Sequence, residues 1–126
     1  MDIYVSCKDY FKDSKEVQKA IINGVKTLYI RIRNYENQNI EFNQIFNDDK
    51  VKYDKHGQFY TFKFQKSNMQ LRILYSYIII DRTPIIMVAD YFVKKRTSKE
   101  YINRFNAMNA VEPIDLYSKA KCVYKC

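Results

Sequence analysis

Between Gln58 and Val93 the chain alternates its side chains with period two in three successive runs, with short turn signals between them. The first run, QFYTFKFQK, sets Tyr60, Phe62 and Phe64 against Phe59, Thr61 and Lys63. After SN at 67–68, MQLRILYSYIII sets Met69, Leu71, Ile73, Tyr75 and Tyr77 against Gln70, Arg72, Leu74 and Ser76. DRTP at 81–84 is the second turn signal, and IIMVADYFV is the third run. Side chains of a strand point alternately to opposite faces, so period two means a sheet with two distinct faces. Three runs joined by short turns form an antiparallel meander.

The segment upstream has a different period. DIYVS suits a short opening strand, with Ile3 and Val5 alternating with polar positions. DSKE then offers Asp13 as helix N-cap and Glu16 as its capping-box partner. Val17, Ile21, Val25, Leu28 and Ile32 follow at spacings of three and four, one apolar face of a long helix that runs through Gly24. NQNIEFNQIFND carries a weaker helical pattern through Ile40, Ile45 and Phe46. DDKVKYDKHG is polar and reads as a loop, which makes His56 a solvated loop histidine. Thr97 with Glu100 makes a second capping box, and Ile102, Phe105 and Met108 or Asn109 continue as a helix that stops before Pro113. IDLYSKAKCVYKC adds at most a short turn of helix. The expected fold class is therefore α+β in a single domain, residues 1–126. It has a twisted antiparallel sheet (a short N-terminal strand plus a three-strand meander), two N-terminal helices and one C-terminal helix.

The chain's charge narrows the function classes. A formal net charge of +8 with 12 tyrosines points to a polyanionic partner, nucleic acid before an acidic protein. The run around Ile78, Ile79 and Ile80 is too short to cross a bilayer, and charges within the first ten residues leave no place for a signal peptide, so a cytoplasmic protein with no membrane partner is expected. Three cysteines, Cys7, Cys122 and Cys126, cannot all pair within one chain, which suits a reducing compartment. With a single histidine and no cluster of ligand residues, neither a metal nor another cofactor is expected.

Arg72 interrupts an otherwise apolar strand, where a charge must face solvent or a partner. The plain reading is an exposed arginine paired with a carboxylate such as Asp90. Lys63 lies on the preceding strand, and Lys94, Lys95 and Arg96 close the following one. In a meander these groups converge on one sheet surface, with Tyr101 and Arg104 leaning over its edge from a helix. Cations neutralise phosphates and rings stack on unpaired bases, so such a surface suits RNA. With a base present, it could also direct the 2′-hydroxyl onto the adjacent phosphate and stabilise the phosphorane.

HGQFYTFKF, QLRILYSY and IIMVADYFVKKRTSKEYINRF together resemble the RelE/HigB-like toxins, phage-derived relatives included, over the stretch from Gly57 to about Met108. That resemblance implies a small α+β fold. It also implies a metal-independent endoribonuclease that cleaves mRNA on the ribosome, as the toxin of a toxin–antitoxin pair neutralised by an antitoxin protein. By position Arg72 matches the family's strand arginine, and Phe92, Lys94 and Lys95 match its F-x-K-K segment.

The chain departs from the family pattern at three places. Asp90 stands where many relatives carry histidine, Thr61 where they carry a carboxylate, and Lys63 where they carry arginine. The catalytic set implied is Arg72, Lys94, Lys95, Tyr101 and Asp90, with Lys63, Arg96 and Arg104 guiding RNA. The general base stays open among Asp90, a lysine and a tyrosine. The departures also fit two further readings. One is a non-catalytic binding protein of a phage or mobile element that inhibits a host nucleic-acid machine. The other is a toxin acting on a host protein such as a topoisomerase.

Overall fold

A computed structural model describes residues 1–44, 51–52, 54–66, 68–94 and 100–125. Ile45, Phe46, Ser67, Lys95, Arg96, Thr97 and Cys126 lie outside the described residues, and the Thr97–Glu100 capping pair falls there with them.

The elements run β1 (Asp2–Val5), α1 (Lys8–Lys12), α2 (Lys15–Asn37), a 3-10 turn (Phe42–Gln44), β2 (Asp54–His56), β3 (Phe59–Lys66), β4 (Met69–Ile80), β5 (Thr83–Lys94), α3 (Glu100–Asn106), α4 (Pro113–Tyr117) and β6 (Lys121–Tyr124). The fold is α+β. Its sheet has six strands in the order β2-β3-β4-β5-β1-β6. β1 runs parallel to β5 and the other neighbours are antiparallel, so the sheet is mixed. This corrects the expectation of a four-stranded, wholly antiparallel sheet. The two added strands are short edges, DKH and KCVY, with no apolar alternation of their own. Each exists because a neighbour presents unpaired backbone groups to it. His56 consequently belongs to a strand and is buried, not solvated in a loop.

The meander forms as its period requires. β3 and β4 pair from Tyr60↔Tyr75 to Lys66↔Met69, and β4 and β5 pair from Gln70↔Lys94 to Ile80↔Thr83. Asp81 and Arg82 make the β4–β5 turn, both in the left-handed region at φ 49° and 67°. A two-residue hairpin loop needs that handedness to match the strand twist.

α2 covers one face of the sheet. Ser14 caps it, its Oγ accepting from the Val17 N–H at 3.2 Å, where the sequence pattern pointed to Asp13. Asp13 instead ends α1 and accepts the Tyr91 hydroxyl at 2.7 Å, joining the α1–α2 corner to β5. Ile21, Val25, Leu28 and Ile32 pack with Phe62, Leu71, Ile73 and Tyr75 in the main core. A Cβ on Gly24 would lie 2.9 Å from the Phe64 ring, so this glycine lets the helix approach the sheet closely.

The opposite face carries a second, smaller core of Phe59, Leu74, Met87, Ala89, Tyr101 and Phe105. α3 supplies the last two, and the C-terminal segment adds Leu116 and Tyr117, with the Tyr117 ring tilted against Tyr4 at 4.9 Å between centres. Among the described residues no helix is long and apolar enough to cross a membrane.

Candidate functional site

The register puts Lys63, Arg72 and Phe92 in one row across β3, β4 and β5. Parity places all three on the α3 side of the sheet, with Leu74 and Thr61 in the next row. Lys94 lies two residues along β5 from Phe92, on the diagonal from Arg72. Lys63 and Arg72 lie directly opposite each other in the β3–β4 register.

Arg72 is the unusual member. It is only 7% exposed, so it is a buried charge and not the exposed arginine that the pattern suggested. Its Nη1 donates to the Leu71 carbonyl at 3.1 Å, while its buried Nε has no acceptor among the described residues. A guanidinium has five donors, and burying it with donors unused is costly. Nor does it pair with Asp90. That carboxylate belongs to Arg104, whose Nη2 lies 2.6 Å from Asp90 Oδ1.

Asp90 owes its position to an irregularity. Leu74 pairs with Asp90 but Tyr75 pairs with Val88, so Ala89 is an extra residue, a β-bulge. The parallel pairing with β1 ends at Val5↔Val88, just before it. The bulge turns the Asp90 carboxylate so that it meets both sides. Cys7 Sγ lies 3.6 Å from Oδ1, and Arg104 reaches the same oxygen from α3. Burial and the Asp90 carboxylate both push the Cys7 thiol above its ordinary pKa, which makes it a poor nucleophile.

α3 lies across this surface through an aromatic ladder. Phe92 and Tyr101 rings are 6.0 Å apart, Tyr101 and Phe105 are 5.5 Å apart, and Phe105 meets His56 at 5.8 Å. His56 Nδ1 lies 2.7 Å from Asn106 Oδ1, so the last turn of α3 is tied to edge strand β2. Gly57 follows at φ 63°, where a Cβ would run into the Asn109 backbone, so the chain can close on itself only with glycine there. The Arg104 guanidinium lies 5.9 Å from the Phe92 ring centre and is 44% exposed.

The structure thus brings together Lys63, Arg72, Asp90, Lys94, Tyr101 and Arg104 on one face. Lys95 and Arg96 lie outside the described residues. Tyr101 is 6% exposed, so its ring is the packing beneath Arg104 and not an open stacking platform. The pattern missed His56 as the clamp of α3. Its only sequence signal is the Gly57 that follows it, because the acceptor lies 50 residues away. Among the described residues no group of three His, Cys, Asp or Glu side chains is placed to hold a metal ion.

Chemically, the face offers one buried guanidinium whose Nε has no acceptor among the described residues, two lysines and an exposed guanidinium held by a carboxylate. Such a set can bind a phosphate between strand and helix, with Arg104 free to exchange Asp90 for the incoming anion. No family model, no curated protein and no solved structure matches this chain.

Proposed function

We propose that this chain is a RelE/HigB-like toxin that cleaves mRNA, acting on the ribosome and neutralised by an antitoxin protein. The observation that carries the reading is Arg72, buried with an Nε that has no acceptor among the described residues, in one row with Lys63 and Phe92 and diagonal to Lys94. A buried guanidinium is a liability for folding and an asset for holding a phosphorane, whose added charge it stabilises in a site poor in water. The QLRILYSY and FVKK resemblance supports the reading. Arg72 and Lys94 hold the scissile phosphate, Lys63 and Arg104 guide the strand, and Asp90, which Arg104 engages, serves as base once Arg104 has moved to the phosphate.

A second reading, a non-catalytic inhibitor of a host nucleic-acid machine, is favoured by one feature. Asp90 is engaged by Arg104 and His56 is buried against α3, so neither of these two groups stands open to a 2′-hydroxyl.

Mapping of mRNA 5′ ends after induced expression in bacteria separates the two. Cleavage gives growth arrest with new in-frame ends, and Arg72→Ala with Lys94→Ala abolishes both while the protein stays folded. Growth arrest without new ends identifies the inhibitor. A folded double variant that still cuts shows that this face is not the nuclease site.

A further inference from the structure

The end of the meander that carries Arg72 on one face borders a groove on the other. The groove, about 490 Å³, lies between the first turns of α2 and the ends of β3, β4 and β5. Its floor is apolar, made of Ala20, Met69 and Val93. Lys19, Lys66 and Lys94 rim it, and Glu16 stands among them. Lys94 borders the groove at the β5 end, next to Val93, while strand parity turns it to the Arg72 side.

We infer that this groove is a second nucleotide subsite, taking the base of a nucleotide next to the one whose phosphate lies at Arg72. The inference rests on the proposed RNA-binding reading of the Arg72 face. Pockets of a few hundred Å³ with an apolar lining and few polar groups hold ligands of nucleotide size. An apolar floor takes a base face, lysine ammonium groups take the flanking phosphates, and a carboxylate accepts from an exocyclic amine. The rim's one carboxylate against three lysines favours a ligand with an anionic end and an amine-bearing ring, which 5′-AMP and 5′-CMP have and 5′-UMP lacks. Because the groove and the Arg72 row meet at the β5 end, a strand passing over that end can engage both.

The test is a methyl NMR titration of the full chain with 5′-AMP, read at Ala20, Met69 and Val93. Saturable shifts at these methyls are expected. Lys19→Ala with Lys66→Ala, both exposed positions that leave the core intact, should weaken binding about tenfold or more, since each removes a phosphate contact. Adenosine should bind more weakly than 5′-AMP, and 5′-UMP should too. Arg72→Met should leave the groove shifts unchanged while reducing the binding of a short RNA oligonucleotide.

Groove methyls silent to 5′-AMP, alongside RNA binding that depends on Arg72, would overturn the inference and leave the proposed function standing. Groove shifts with 5′-AMP, but RNA binding indifferent to Arg72, would sustain the groove and overturn the Arg72 reading. Equal shifts with inorganic phosphate alone would show that no base is recognised, and would sink the proposal. So would a groove that ignores 5′-AMP and responds to poly-glutamate, since that would make it a surface for an acidic protein.

Discussion

Among the described residues, Arg72 stands at an energetic disadvantage that its neighbours do not relieve. Removing a charged group from water costs several kcal/mol after relaxation, and only well-formed hydrogen bonds offset it. Arg72 has one, to the Leu71 carbonyl, and its Nε has none among the described residues. Replacing a buried charge by an apolar side chain of similar length is often neutral or stabilising. Arg72→Met is therefore expected to keep the fold and to leave stability unchanged or raised by about 1 kcal/mol. Its RNA-directed activity should vanish. Urea denaturation of both proteins, alongside the 5′-end assay, checks this. A loss of several kcal/mol would mean that Arg72 is a structural residue with partners in the native state. The sequence shows that a cation interrupts β4 at this position. It does not show that the cation is covered, because burial is set by segments remote in sequence.

At the scale of elements, α2 and the meander are joined by a close approach and by a hydrogen bond, and each can be tested. Gly24 lies inside a 23-residue helix, where alanine would ordinarily add about 1 kcal/mol of helix propensity. Here a Cβ would meet the Phe64 ring at 2.9 Å and Ile73 at 3.2 Å. Overpacking typically costs about 1–3 kcal/mol, so Gly24→Ala should destabilise by about 1 kcal/mol net. A stabilised variant, in urea denaturation, would show that the helix can move off the sheet.

The Tyr91 hydroxyl gives to Asp13 the second link. Burial, and then the Asp13 carboxylate, raise its pKa above the ordinary 10.0. Its folded pKa is the higher one, so its stabilisation is complete below the unfolded value and is lost as pH climbs above it. Stability should fall from about pH 10 upward in the wild type. Tyr91→Phe should be less stable near neutrality by about 1–2 kcal/mol, the worth of a hydrogen bond to a charged acceptor, with a shallower alkaline decline. Chemical denaturation across pH 8–11 (on the order of six points) reads both effects. The period-two pattern predicted which residues of β3 and β4 share a face, because alternation is a property of neighbouring residues. The strands β2 and β6 were not legible, because three or four polar residues become a strand only when a longer neighbour pairs with them.

For the whole molecule, charge is the property that the full chain sets. A net +8 steers polyanions to the protein, while the contact face decides how many counterions are released. Four cations on the α3 side, Lys63, Arg72, Lys94 and Arg104, predict that log Kd for a single-stranded RNA rises with log salt at a slope of about 3. Arg72→Met should lower that slope by about 0.7. A slope near zero, measured by anisotropy over a salt series, would show that no phosphate is bound there. The amino-acid order alone shows a basic α+β chain, the long amphipathic helix, the three-strand meander and the parity that puts Lys63 and Arg72 on one face. Each of these depends on spacing between near neighbours. Only the folded chain decides that Arg72 is buried, that Asp90 belongs to Arg104 across 14 residues, that His56 holds α3 across 50, and that Lys94 rims a groove as well as a cation row. The reason is that burial, ion pairing and concavity are set by segments remote in sequence that close over one another. No period within a single segment encodes which distant segment will arrive.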